Sequence, residues 1–398
     1  MLILRKNNFK TVLFILFSIL LINCKSRTEN KENLTGKDSV ETKIDITKYD
    51  RSYNDIALWL AGLEQDSSGK YKNLENSETW KTYSVEIREA FNLMKIDRLG
   101  KLDTFTINEL SEVNTNIKTL FYPYSGPDFT NANIFFPKTD KIIMAGLERV
   151  GDIPDFSKLS EINKQNYFSQ ILESLTNILT KGYFITKRMK KEFAGERLDS
   201  LSGVIPIFYV FMAQANCRIL DAQKIYIDTL GNIVEINENY IDDPFDNTVN
   251  GLKIDYIRNE DNKIRTVIYF SHDLGEFKHA DTPEFLIFLK KQNINVTFLK
   301  AASYLNIWFG IVRNFILDNS DYIFQDDSGI PIKYINDSIW NIKLYGTYTK
   351  TLDMFKDYFQ SSLKTKYAQD STVVPLNFGI GYNGTIGDAN LQLFTKKK

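Results

Sequence analysis

The side chains with the type and setting to do chemistry are Tyr124, Ser125, Asp128, Glu148, His272, Asp326 and Asp327. The first three lie in Tyr-Pro-Tyr-Ser-Gly-Pro-Asp at 122–128, which follows a strand-like run and opens a predicted helix. Pro127 suits the first helical turn and Asp128 its positive end. Read plainly, this is strand-turn-helix punctuation. Read functionally, it sets Ser125, Asp128 and the rings of Tyr122 and Tyr124 at the carboxyl edge of a sheet, where open α/β folds place their ligands. It is neither a Walker loop nor a dinucleotide fingerprint, because the required glycines are absent. Glu148, just after the next strand-like run, could face the same edge or be an ordinary surface carboxylate. Two carboxylates in one cleft could perform general acid and base work, or hold a hard cation through oxygen ligands.

His272 closes a strand-like run in Ser271-His272-Asp273, and His279 is the only other histidine. Two histidines cannot form a three-histidine zinc site, and no H-E-x-x-H helix is present. A structural role is the ordinary expectation for His272. A Ser125–His272–Asp triad can be written down, but the G-x-S-x-G elbow is missing. Gln-Asp-Asp-Ser-Gly-Ile-Pro at 325–331 is the most polar cluster between two apolar runs. Its composition is that of a hairpin turn; the alternative is a loop in which Asp326 and Asp327 bind a cation or a sugar hydroxyl. It does not match an EF-hand loop. Lys300, Ser303, Tyr304 and Arg313 could supply a basic counterpart, although a solvated helix face is the simpler assignment. Cys217, in an apolar neighbourhood, is expected to be a small buried hydrophobe.

These residues must be positioned by a body with a substantial core. The chain has 398 residues, 43% of them hydrophobic and 13% aromatic. Its 49 Lys plus Arg nearly balance 50 Asp plus Glu, so no global field favours nucleic acid as a partner. Helical stripes run through Ile56, Trp59, Leu60 and Leu63, and through Trp80, Tyr83, Ile87, Phe91 and Met94. A strong helix is predicted from about Ser160, with Gly182 as its stop. Another is predicted around 205–215. Strand-like runs at 119–124 and 141–147 precede a predicted antiparallel meander from 218 to 270. A helix at 282–291 and a strand at 296–300 follow. Further on, a long helix is predicted to bury Leu305, Trp308, Phe309, Val312, Phe315 and Ile316. Beyond it come a hairpin about 326–329, a helix with Leu352, Phe355, Phe359 and Leu363, and a strand-like tail over 373–394. The expected fold class is α/β or α+β: a mixed sheet with an antiparallel meander, flanked by amphipathic helices.

The N-terminus carries Arg5, Lys6 and Lys10 before an apolar run from Thr11 to Ile22, the pattern of a signal peptide and too short to span a bilayer. Leu21-Ile22-Asn23-Cys24 resembles the bacterial lipobox, with Asn23 where a smaller residue is usual. The resemblance implies cleavage before Cys24, a diacylglycerol thioether on it and an acylated (palmitate-type) amine, which together anchor firmly. The expected organisation is a signal peptide over 1–23, a lipidated cysteine and flexible tether over 24–47, and one globular body over 48–398. A division of that body into lobes 48–215 and 216–398 is the alternative. The expected location is the bacterial cell envelope, on the outer or cytoplasmic membrane.

The segments at 122–128, 146–148, 298–305 (Phe-Leu-Lys-Ala-Ala-Ser-Tyr-Leu), 325–331 and 379–382 (Gly-Ile-Gly-Tyr) resemble an uncharacterised bacterial family of exported lipoproteins. That resemblance implies one coherent domain and brings no activity, cofactor or catalytic residue with it. Two functions remain open. The first is a membrane-anchored envelope protein that binds a small molecule or another protein. The second is an envelope hydrolase with a carboxylate-based site. No cofactor is predicted, and a divalent cation is the one such a site would admit.

Overall fold

The computed structural model describes residues 44–184, 201–236, 248–261, 263–382 and 387–398. The expected signal peptide, Cys24 and all but the last residues of the tether lie outside the described residues. Residues 44–398 form one compact unit, and among the described residues no helix is long and apolar enough to cross a membrane.

Among the described residues ten strands form a single sheet: β1 (Thr119–Tyr122), β2 (Lys141–Gly146), β3 (Cys217–Ile227), β4 (Ile233–Glu235), β5 (Asn250–Arg258), β6 (Arg265–Ser271), β7 (Val296–Leu299), β8 (Tyr322–Gln325), β9 (Trp340–Gly346) and β10 (Asn390–Lys396). Their spatial order is β4-β3-β5-β6-β2-β1-β7-β8-β10-β9. The middle five, β6 to β8, pair in parallel, and antiparallel strands complete both sides. The middle strands are short and almost wholly apolar, as strands covered on both faces must be. Alternation divides them between two cores. Leu120, Tyr122, Ile142, Met144, Val267, Tyr269 and Phe298 pack on one face; Phe121, Ile143, Ala145, Ile268, Phe270 and Leu299 pack on the other.

Helices cover each face. On the first lie α1 (Ser52–Leu60), α2 (Glu78–Met94), α3 (Gly100–Glu109), α4 (Ser111–Asn116), α5 (Phe129–Phe135), α6 (Glu161–Lys181) and α7 (Ile205–Gln214). The second face is covered by helices over Glu284–Lys290, Gly310–Asn319 and Ser361–Gln369. The expected stripes of α1 and α2 are buried, with Trp59 stacked on Tyr71 and tilted against Phe156 and Phe168. Ser160 caps α6, and Gly182 ends it in the left-handed conformation at φ 82°.

The α/β class with a mixed sheet therefore holds, while several elements differ from expectation. The predicted meander becomes two hairpins, β3–β4 and β5–β6, in which β5 returns on the far side of β3. Residues 326–329 do form a tight turn, closed by Gly329 N–H donating to the Asp326 carbonyl at 3.2 Å. No hairpin follows, because β8 pairs with β7 and with the distant β10. The long helix at 305–316 is broken: a 3-10 turn covers Leu305–Ile307, the α-helix starts at Gly310, and Trp308 is 64% exposed instead of buried. The helix expected from Leu352 to Leu363 splits into a 3-10 segment and the α-helix beginning at Ser361. Among the described residues of the strand-like tail, Asn390–Lys396 forms a strand, beside isolated bridge residues at Val374 and Ile380.

Candidate functional site

The sheet reverses its winding between β1 and β7. From β1 the chain passes through α5, on the first face, to β2; from β7 it passes through Gly310–Asn319, on the second face, to β8. The connections therefore leave the carboxyl ends of these neighbouring strands in opposite directions, which opens a crevice there. A cavity of about 270 Å³ occupies it. The β1 loop contributes Tyr124, Ser125, Gly126 and Asp128, the β2 loop contributes Glu148, and the β7 loop contributes Lys300, Ala301 and Ser303. Tyr183, Phe355 and Tyr382 add an aromatic wall, and the exposed Met354 stands among them.

Four of the expected site residues thus converge. Asp128 is buried and fully engaged: its Oδ2 accepts from Tyr122 Oη at 2.8 Å and from Lys300 Nζ at 2.6 Å, and its Oδ1 accepts from the backbone and side-chain amides of Asn131. Glu148 is also buried, and its Oε2 accepts from Tyr269 Oη at 3.2 Å. Gly146 makes room for this arrangement, since a Cβ there would lie 2.5 Å from Glu148 Oε2 and 2.8 Å from Tyr269 Oη. Ser125 ties the β1 and β2 loops together: its N–H donates to the Ala145 carbonyl at 3.0 Å, and its hydroxyl donates to the Gly126 carbonyl at 2.8 Å. Tyr124 Oη reaches Asn306 Oδ1 at 3.4 Å.

The other three stand outside the lining. His272 is buried beside Phe285, with ring centroids 4.7 Å apart, and its backbone N–H donates to the Gly146 carbonyl. That is a packing position, and a triad with Ser125 has no geometric support. Asp326 and Asp327 are buried behind the β7 loop and hold its shape. Ala301 N–H donates to Asp326 Oδ2 at 2.8 Å, Ala302 N–H to Ser328 Oγ at 2.7 Å, and Tyr304 N–H to the Ser328 carbonyl at 3.1 Å. Tyr304 Oη donates to Asp327 Oδ2, and Asn390 Nδ2 to Asp327 Oδ1 at 2.9 Å. Burial and the neighbouring Asp327 push the Asp326 carboxyl up to about 7, and burial raises Asp327 as well.

This clamp explains the loop's backbone. Ala301, Ser303 and Tyr304 all have positive φ, at 50°, 52° and 58°, and Tyr124 across the cavity has φ 59°. Only two other non-glycine residues among those described share that conformation, Asn216 and Asn293, and asparagine tolerates it best. Each left-handed residue costs roughly 1–2 kcal/mol, so the strain is concentrated in the two loops that shape the cavity.

Lys300, which the sequence suggested for a solvated helix face, is 3% exposed on the cavity lining. Burial, the largest cause, lowers its pKa; the Asp128 carboxylate opposes this, and Arg98 adds to the lowering. Arg98 donates to Asn131 Oδ1 at 3.1 Å. Sequence reasoning passed over Arg98, Tyr183, Phe355 and Tyr382 because they come from segments far apart in the chain. Arg313 does not line the cavity; its guanidinium lies 3.9 Å above the Tyr334 ring centroid and donates to the Asn306 carbonyl. Cys217 is buried, which pushes its thiol up to about 12. Among the described residues no group of three or more His, Cys, Asp or Glu could hold a metal ion. No protein-family profile matches the chain, and no curated protein is significantly similar to it.

Proposed function

We propose that this protein is a lipid-anchored protein of the bacterial envelope that binds a small polar organic molecule at the carboxyl edge of its parallel strands. The observation that carries the binding reading is the concentration of strained backbone in the two facing loops, one of them clamped by the buried Asp326–Asp327 turn. Strain of this kind persists where a site requires a fixed shape. The cavity offers Glu148 and Lys300 within aromatic walls, the usual mixture of apolar enclosure and few polar groups. The hydrolytic alternative is weaker, because Asp128 is committed to Lys300, Tyr122 and Asn131 and lacks the freedom of an acid or base. Export and anchoring rest on the N-terminal pattern ending at Cys24.

Binding is tested by thermal unfolding of the full chain against sugars, amino acids and peptidoglycan fragments. A ligand at a hundred times its Kd stabilises by about 2.7 kcal/mol, a readable rise in Tm. The rise should vanish in Glu148→Gln. A flat response to every ligand would remove the small-molecule reading. Anchoring is tested by Cys24→Ala, which should end palmitate incorporation and release the protein from membranes; continued labelling would refute it.

A further inference from the structure

We infer that Lys300 is a nucleophile that captures a small aldehyde or ketone in the cavity as a Schiff base, with Asp128 holding the amine in place. The inference rests on the binding reading above and names the chemistry of the ligand.

Three observations support it. The first is the balance of charge. Asp128 faces two cations, Lys300 directly at 2.6 Å and Arg98 through Asn131, with Asp326 the next carboxylate that acts on Lys300. Arginine keeps its proton in proteins, so of the two cations only Lys300 can give its own up. The second is a count of hydrogen bonds. Among the described residues Lys300 Nζ has two acceptors, Asp128 Oδ2 and the Gly182 carbonyl. A neutral amine has two hydrogens and one lone pair, so these two contacts use both hydrogens and leave the lone pair over for the cavity. The third is position: Lys300 lines the cavity immediately after β7, where the strained loop begins. The groups that act on it electrostatically, Asp128, Arg98 and Asp326, are all buried or half-buried, and burial favours its uncharged form.

The chemistry balances without an oxidant or reductant. The Nζ lone pair adds to the carbonyl carbon as the π electrons move to oxygen, and the nitrogen passes one of its protons to that oxygen, giving a neutral carbinolamine. Asp128, fixed by the Tyr122 hydroxyl, holds Nζ in place through the addition. The nitrogen lone pair then forms the C=N bond as the hydroxyl leaves, and the remaining N–H proton departs with it as water. One imine forms for each water released.

The test is reductive trapping on the full chain, with glycolaldehyde as the carbonyl probe and sodium cyanoborohydride as the reductant, followed by peptide mass mapping. The internal controls are Lys158 and Lys350, whose side chains are 82% and 70% exposed. Burial favours the neutral, nucleophilic amine, so Lys300 should be alkylated faster than either control. Lys300→Met, which keeps the apolar stem without an amine, should lose the label while remaining folded by circular dichroism. If Lys300 reacts no faster than the exposed lysines, the nucleophile assignment is wrong. The thermal-shift panel, run without cyanoborohydride, separates the two readings. A ligand-induced shift with Lys300 unlabelled refutes the Schiff base and leaves binding standing, whereas Lys300-specific labelling with no shift from any ligand keeps the nucleophile and removes the stable-binding reading.

Discussion

Replacing Asp326 with Asn should reverse its effect on stability as pH rises. The carboxylate accepts from Ala301 N–H at 2.8 Å and from Ser328 N–H at 2.9 Å, on different oxygens. Asparagine has one acceptor oxygen, so one of these contacts is lost, and a buried donor without a partner costs about 1–3 kcal/mol. That penalty is present at every pH. The wild-type residue carries an opposing one. Its folded-state pKa is raised from 3.8 to about 7 by burial and by Asp327. A carboxyl raised on folding contributes stability that is fully present below pH 3.8 and is lost as pH rises through about 7. The full loss is on the order of 4 kcal/mol at 1.36 kcal/mol per tenfold, and it belongs to the coupled pair more than to either carboxyl. At pH 4, Asp326→Asn should therefore be less stable than wild type by about 2 kcal/mol. At pH 8.5 the gap should close or change sign. Urea unfolding followed by tryptophan fluorescence measures both, and titrating groups outside the Asp326–Asp327 pair cancel in the difference. A gap that stays constant from pH 4 to 8.5 would show that Asp326 is not a raised, buried acid.

The same turn makes Gly381→Ala severe: φ is +62°, and the new Cβ would lie 1.9 Å from Asp326 Oδ2, so the loss should exceed the roughly 1–2 kcal/mol of the left-handed backbone alone. A melting temperature near wild type would contradict that contact. Trp59→Ala should cost about 3–5 kcal/mol as a core deletion, whereas Trp308→Ala, at a 64% exposed position, should stay within about 0.5 kcal/mol. Similar losses for the two would place Trp308 in the core after all. His272→Asn should leave ligand-induced stabilisation intact, since the ring lies outside the cavity lining; loss of the shift at unchanged stability would return His272 to the site.

What could be read from the chain was local. Helices α1, α2 and α6 were legible because an apolar stripe at helical spacing has one burial solution, and because Ser160 and Gly182 mark the ends of α6 through contacts a few residues long. The β3–β4 and β5–β6 hairpins were legible for the same reason, as each turn lies between the strands it joins. Asp128 and Glu148 were placed at one sheet edge because consecutive parallel strands present the same end. The tertiary structure alone decided the rest. β8 pairs with β10 across more than sixty residues of chain, so a turn-like sequence at 326–329 became an inward clamp instead of a hairpin. Lys300 has the composition of a surface residue, and only the closing of α6, Arg98 and Asp128 around it removed it from water. Burial of a charge depends on what arrives from elsewhere in the chain, and the periodicity of a segment cannot encode that.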